Sequence, residues 1–284
     1  MPFAEIDGID THYEVRGDGP ALLMYAPGGF DARLEQWTDI GVYKRIRLLD
    51  RLPEKYSCIL FDRRENGRSG GRVERIGWGH FVRQGAGLLD ALGIDKAHLM
   101  GGCMGCCPVA AFGVAHPART LSMIHYWPVG GAKYRISSHR RFREHIDYVA
   151  ENGLRAVVDL VRSHDRNFSA DPRGGPWGNS IRASDDFAKS YGALDRADYL
   201  ATVTDMYLGL FDRDTAPGAE PEDLLALDIP SLIVPGNDDA HATSAARYLH
   251  ECLEGSEYWD VPPAAQTADN APRRILDFLD GAGG

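Results

Sequence analysis

The chain is predicted to be an α/β protein, with a mostly parallel central sheet, helices on both faces and an inserted helical cap. Three observations predict this. Short apolar runs alternate with helix-compatible stretches near both ends of the sequence, as parallel strands joined by crossover helices require. A G-x-C-x-G pentapeptide, Gly101-Gly102-Cys103-Met104-Gly105, separates an apolar run from a helix-compatible run, the setting of a nucleophile elbow. Between Val129 and Leu227 the strand signal disappears, which marks a helical insertion. At 284 residues the chain is long enough for one large domain or for a core with a lid.

The elements follow in order. Thr11–Arg16 and Ala21–Ala26 read as strands joined by the turn Gly17-Asp18-Gly19-Pro20. Ser57–Asp62 is a third strand, and Phe81–Leu92 a helix with Leu88, Leu89 and Leu92 on one face. Ala97–Gly101 leads into the pentapeptide, Cys106–Ala115 follows as a helix, and Leu121–Trp127 as a further strand. Phe142–Ala150, Leu154–Val161 and Tyr199–Leu210 read as helices of the insertion, divided by the Pro- and Gly-rich stretch 171–176. Ser231–Gly236 and Glu257–Val261 are the last strands, before a helix over Asn270–Leu279; the glycine-rich end reads as a frayed tail. Residues 1–128 and 228–284 are thus expected to form the core, and 129–227 the cap.

Composition narrows the function. The chain is 44% hydrophobic and 25% charged, which suits an ordinary globular protein. A net charge of −10 argues against a surface that tracks nucleic-acid phosphates. No stretch reaches the roughly 20 apolar residues that span a bilayer, and no signal-peptide plan opens the sequence. Five cysteines, three of them at 103, 106 and 107, do not form a disulfide framework. The expectation is a reduced, cytoplasmic protein acting on a small molecule, with neither nucleic acid nor membrane as partner. A homodimer stays open.

Five segments carry a resemblance to the α/β-hydrolase superfamily with a helical cap. They are the opening hairpin around Asp7-Gly8-Ile9-Asp10, the loop Ala26-Pro27-Gly28-Gly29-Phe30, and Phe61-Asp62-Arg63-Arg64 with Gly67-Arg68-Ser69. His98-Leu99-Met100 running into the pentapeptide and Val234-Pro235-Gly236-Asn237-Asp238-Asp239 complete the set. In its cysteine the chain resembles dienelactone hydrolases. The resemblance implies Cys103 as nucleophile, with its thiolate favoured by the following helix N-terminus. It implies an oxyanion hole from the Met104 amide and that of Gly29 or Phe30. It places the acid on Asp239, with Asp238 adjacent.

The superfamily keeps its histidine after the last strand. Here that loop reads Pro262-Pro263-Ala264-Ala265-Gln266-Thr267, and no histidine follows His250. Gln266 hydrogen-bonds but cannot shuttle protons near neutral pH. His241, two residues past Asp239, is the leading replacement, and His125 near a strand end the second. Trp127, His125 and Gln266 are expected to line a substrate pocket. Arg63-Arg64-Glu65, at a strand end, reads as a substrate-carboxylate anchor or as a solvated ion pair.

The expected function is hydrolysis or acyl transfer on a small ester, thioester or lactone through an acyl-Cys103 intermediate, with no cofactor and no metal. Two alternatives follow from the absent histidine: a lyase, isomerase or C–C-bond enzyme using the same oxyanion hole, or a non-catalytic binder. Cys103-Met104-Gly105-Cys106 also spells C-x-x-C at a helix N-terminus, which leaves thiol–disulfide exchange as a competitor.

Overall fold

In the computed structural model, which describes residues 2–283, eight strands form one sheet among the described residues. They are β1 (Phe3–Ile6), β2 (Ile9–Arg16), β3 (Ala21–Tyr25), β4 (Ser57–Phe61), β5 (Ala97–Gly102), β6 (Thr120–Tyr126), β7 (Ser231–Val234) and β8 (Glu257–Tyr258). Their order across the sheet is β1-β2-β4-β3-β5-β6-β7-β8. β1 and β2 pair antiparallel, β2 meets β4 antiparallel, and every pairing from β4 through β8 is parallel. The sheet is therefore mostly parallel, as its alternating apolar runs foretell.

Parallel strands buried on both sides are apolar at successive positions, because neighbouring side chains point to opposite faces. β3 shows this: Leu23 and Tyr25 join one core and Leu22 and Met24 the other. Over the first face lie α3 (Trp78–Ala91), α4 (Cys106–Ala115) and α10 (Thr243–Cys252), which add Leu88, Phe112 and Leu249. Over the second lie α2 (Gly41–Ile46) and α11 (Asn270–Ala282), which add Ile46 and Phe278. All six β5 positions are buried, and each large apolar side chain there contributes about 1.5–3 kcal/mol.

Between β6 and β7 the chain is helical: α5 (Ala132–Ser163), α6 (Gly178–Ala183), α7 (Asp185–Gly192), α8 (Arg196–Leu210) and α9 (Pro221–Leu225). α5 is broken at Gly153, whose φ of 79° is non-helical. It starts ten residues before the helix expected from Phe142. Its inward positions, Ser138, Phe142, His145 and Val149, keep helical spacing, but Ser and His make the apolar period silent there. β1, α2, α6, α7, α9 and α10 are also absent from the sequence reading; all but α10 are eight residues or fewer. No helix among the described residues is long and apolar enough to cross a membrane.

Candidate active site

Ligands of open parallel sheets bind at the strands' carboxyl ends, and four such ends meet here. β5 delivers Cys103. It stands at φ 54°, a left-handed conformation costly for a side chain other than glycine. Glycines on either side permit the bend: a Cβ on Gly101 would sit 2.3 Å from the Gly105 carbonyl oxygen, and one on Gly105 2.4 Å from that of Tyr25. The result is a sulfur held out at the floor of a cavity of about 550 Å³. Phe30, Phe142, Phe168 and Phe211 wall it, so loops of the sheet and helices of the insertion share its lining.

β7 delivers the histidine. His241 Nδ1 lies 2.8 and 2.9 Å from the two carboxylate oxygens of Asp238. The same carboxylate accepts the backbone N–H groups of Ala240 and His241, each at 2.9 Å. A bridge from Gly130 to His241 ties the loop to the chain leaving β6. The Trp127 ring packs at 5.5 Å from the imidazole. Gly236 makes the approach feasible, since a Cβ there would fall 2.5 Å from His241 Cβ. With Nδ1 engaged by Asp238 and buried Nε2 without a hydrogen-bond partner, Nε2 is the nitrogen free for the thiol of Cys103, with which the imidazole is electrostatically coupled.

The electrostatics follow from that contact. Burial pushes the Cys103 thiol up, but the His241 charge outweighs it, helped by the amides of Gly28 and Met104, and the thiol ends below its ordinary value. Burial disfavours charge on His241 too. The Cys103 thiolate and the Asp238 hydrogen bond and charge overcome this and raise it to about 10. The His241 hydrogen bond and charge in turn hold Asp238 at about 2, against partial desolvation. The contact thus favours the thiolate–imidazolium form of the pair, backed by a carboxylate.

The two amides that hydrogen-bond the sulfur belong to Gly28 and Met104. Gly28 has φ 102°, and a Cβ there would meet the Asp31 carbonyl oxygen at 2.8 Å. Behind the loop, the fully buried Arg63 donates from Nη2 to the carbonyls of Gly28 and Gly29. It packs over Phe81 at 5.3 Å. Turning these carbonyls towards Arg63 points the N–H groups of Gly29 and Phe30, on the opposite edges of the same trans peptide units, away from Arg63.

Several expectations need correction. Asp239 does not support His241: its side chain is 81% exposed and pairs with Lys133 at 2.7 Å, at the rim of the cavity. The hairpin of the loop points Asp238 inwards and Asp239 out. Gly29, Phe30 and Met104 all line the cavity beside Cys103, and the amide of Gly28 also lies at the sulfur. His125 is fully buried within β6, both ring nitrogens unpartnered, and burial lowers it to about 4. Trp127 and Gln266 do not line the cavity either. The Gln266 side-chain oxygen accepts the Tyr126 hydroxyl at 2.8 Å and the Trp127 indole N–H at 2.9 Å, while its amide donates to the Val261 carbonyl at 3.0 Å. The amide is consumed in packing. Arg63 braces a loop and Arg64 pairs with Glu65 and Glu74, so neither of the two expected roles describes them fully. Cys106 turns inward to the Gly101 carbonyl, and burial drives its thiol well up, which suits packing rather than thiol exchange.

A family model described as alpha/beta hydrolase fold matches residues 22–144. A curated relative, the dihydrolipoyllysine-residue acetyltransferase component of the acetoin cleaving system of Cupriavidus necator, is 30% identical over 128 residues, covering 45% of this chain and 32% of that protein. The putative carbamate hydrolase RutD of Azorhizobium caulinodans is 28% identical over 129 residues, 45% of each chain. The matches thus span less than half the length of these relatives. Among solved structures, the enol-lactonase from Burkholderia xenovorans LB400 superposes with a TM-score of 0.62 at 19% identity, over 98% of this chain and 100% of that one. The sheet order and these likenesses give the chain the α/β-hydrolase fold.

Proposed function

We propose that this chain of α/β-hydrolase fold is a hydrolase or acyl-transfer enzyme with Cys103 as nucleophile, acting on a small ester, thioester or lactone. The observation that carries the reading is His241, held by Asp238 with its Nε2 left without a partner, and coupled electrostatically to a thiol on a strained turn that lines a cavity. The Cys103 thiolate attacks the carbonyl carbon, and the amides of Gly28 and Met104 receive the negative oxygen. As the tetrahedral intermediate collapses, the bond to the leaving oxygen or sulfur breaks and His241 Nε2 gives that atom a proton. This leaves acyl-Cys103 and neutral imidazole. Water then loses a proton to His241 and attacks the acyl carbon, releasing the acid and restoring the ion pair. Asp238 holds the imidazole orientation throughout. The helices of residues 129–227 act as the cap that closes the cavity and selects the substrate.

The non-hydrolytic and binding alternatives drew on the histidine missing after the last strand, and the placement of His241 on Asp238 favours the hydrolytic reading over them. The test is a burst measurement with p-nitrophenyl acetate. One nitrophenolate per protein is expected in the burst, with the acetyl group located on Cys103 by mass spectrometry and absent in Cys103→Ala. Steady turnover with an unmodified Cys103, or undiminished in Cys103→Ala, overturns the reading.

A further inference from the structure

Residues 133–143 hold five cations, Lys133, Arg135, Arg140, Arg141 and Arg143, and no acid, in a chain whose net charge is −10. They occupy the first turns of α5, the part of the insertion that faces Cys103 across the cavity. Three of them, Lys133, Arg140 and Arg141, line it, and Asp239 is the one acid among its lining residues. Asp239 is taken by Lys133 at 2.7 Å. Arg140 and Arg141 make no ion pair and no hydrogen bond among the described residues. Arg140 is exposed at the mouth, and Arg141 is half-buried. A guanidinium carries five donors in a planar fork, and placing it partly out of water without an acceptor is unfavourable. Four phenylalanines, Phe30, Phe142, Phe168 and Phe211, supply much of the rest of the wall.

A partly aromatic cavity that holds both a nucleophile and an unpaired fork fits one kind of ligand. We propose that the cavity takes acyl substrates bearing a carboxylate remote from the reacting carbonyl, that Arg141 binds this carboxylate, and that Arg140 attracts it at the mouth. The substrate class rests on acyl transfer at Cys103; the carboxylate site does not. A fork on a carboxylate makes two parallel charge-assisted hydrogen bonds, which gives orientation as well as affinity. Lysine supplies charge without the fork.

Two esters of similar length test it: p-nitrophenyl butyrate and the mono-p-nitrophenyl ester of glutarate. The wild type is expected to favour the anionic ester in kcat/KM by about tenfold or more, less so at about 0.5 M salt. Arg141→Gln should reduce that ratio by about tenfold, chiefly through KM, and Arg141→Lys should restore part of it. Calorimetric titration with glutarate is the second arm, with thermal melting to show that the variants are folded. Glutarate bound by wild type and lost in Arg141→Gln supports the site even where neither ester turns over, in which case acyl transfer alone falls. A wild-type ratio at or below unity, a ratio untouched by Arg141→Gln, or equal glutarate binding by both proteins overturns the proposal.

Discussion

The reactivity of Cys103 depends on three partners whose loss should be distinguishable. Its alkylation by iodoacetamide should set in at lower pH than that of an ordinary thiol, because the His241 charge keeps the thiol below its ordinary value. In His241→Ala burial acts without that compensation, so the midpoint of the alkylation profile should move up; an unmoved midpoint counts against the contact. The same variant should lower kcat by about 10²–10⁴-fold, the usual worth of a general acid–base group. Asp238→Asn and Asp239→Asn separate neighbouring carboxylates. The first removes the acceptor at His241 Nδ1 and should depress kcat, whereas the second breaks a pair whose members are 76% and 81% exposed and should leave stability nearly unchanged. Equal kinetic losses would return the acid role to Asp239.

At the scale of elements, the loop after β7 and the loop after β8 divide work that the superfamily resemblance assigns together. The β8 loop keeps a structural amide: Gln266 accepts from Tyr126 and Trp127 and donates to Val261. Gln266→Ala leaves those buried groups unsatisfied and should cost about 1–3 kcal/mol, read by chemical denaturation, with a smaller effect on alkylation of Cys103. Gly236→Ala should do the reverse. Its Cβ would fall 2.5 Å from His241 Cβ, so the imidazole must move and the alkylation midpoint should rise. The join between insertion and sheet is aromatic: Phe142 meets Phe30 at 5.5 Å and Phe168 at 4.9 Å. Phe142→Ala should destabilise by about 3–5 kcal/mol and widen the cavity towards bulkier acyl groups.

Over the whole molecule, the charged trio links folding to pH. His241 rises from its ordinary value near 6.5 to about 10, so its contribution is complete below 6.5 and is lost as pH climbs through about 10. Asp238 falls from 3.8 to about 2, so its contribution is complete above 3.8 and is lost as pH drops through about 2. The melting-temperature gap between wild type and His241→Gln should therefore be widest between pH 3.8 and 6.5, shrink as pH rises and close above pH about 10; a gap that persists there contradicts the ion pair.

The legible parts of this protein are those whose chemistry is local. Apolar runs of β3, β5 and β6 reveal buried parallel strands, because a strand covered on both faces has no polar side to show. Gly101, Cys103 and Gly105 reveal the elbow, because backbone contacts within a few residues demand glycine. His241 is visible only as a nearby imidazole, and nothing in the order Asp238-Asp239-Ala240-His241 tells which carboxylate turns inward. The three-dimensional structure alone decided that choice, the Gly28 amide on the sulfur, the retirement of Gln266 into packing, and the basic face of α5 over Cys103. Each depends on how separate strand ends and the insertion converge. Convergence is set by packing between elements distant in sequence, and side-chain identity along the chain carries no record of it.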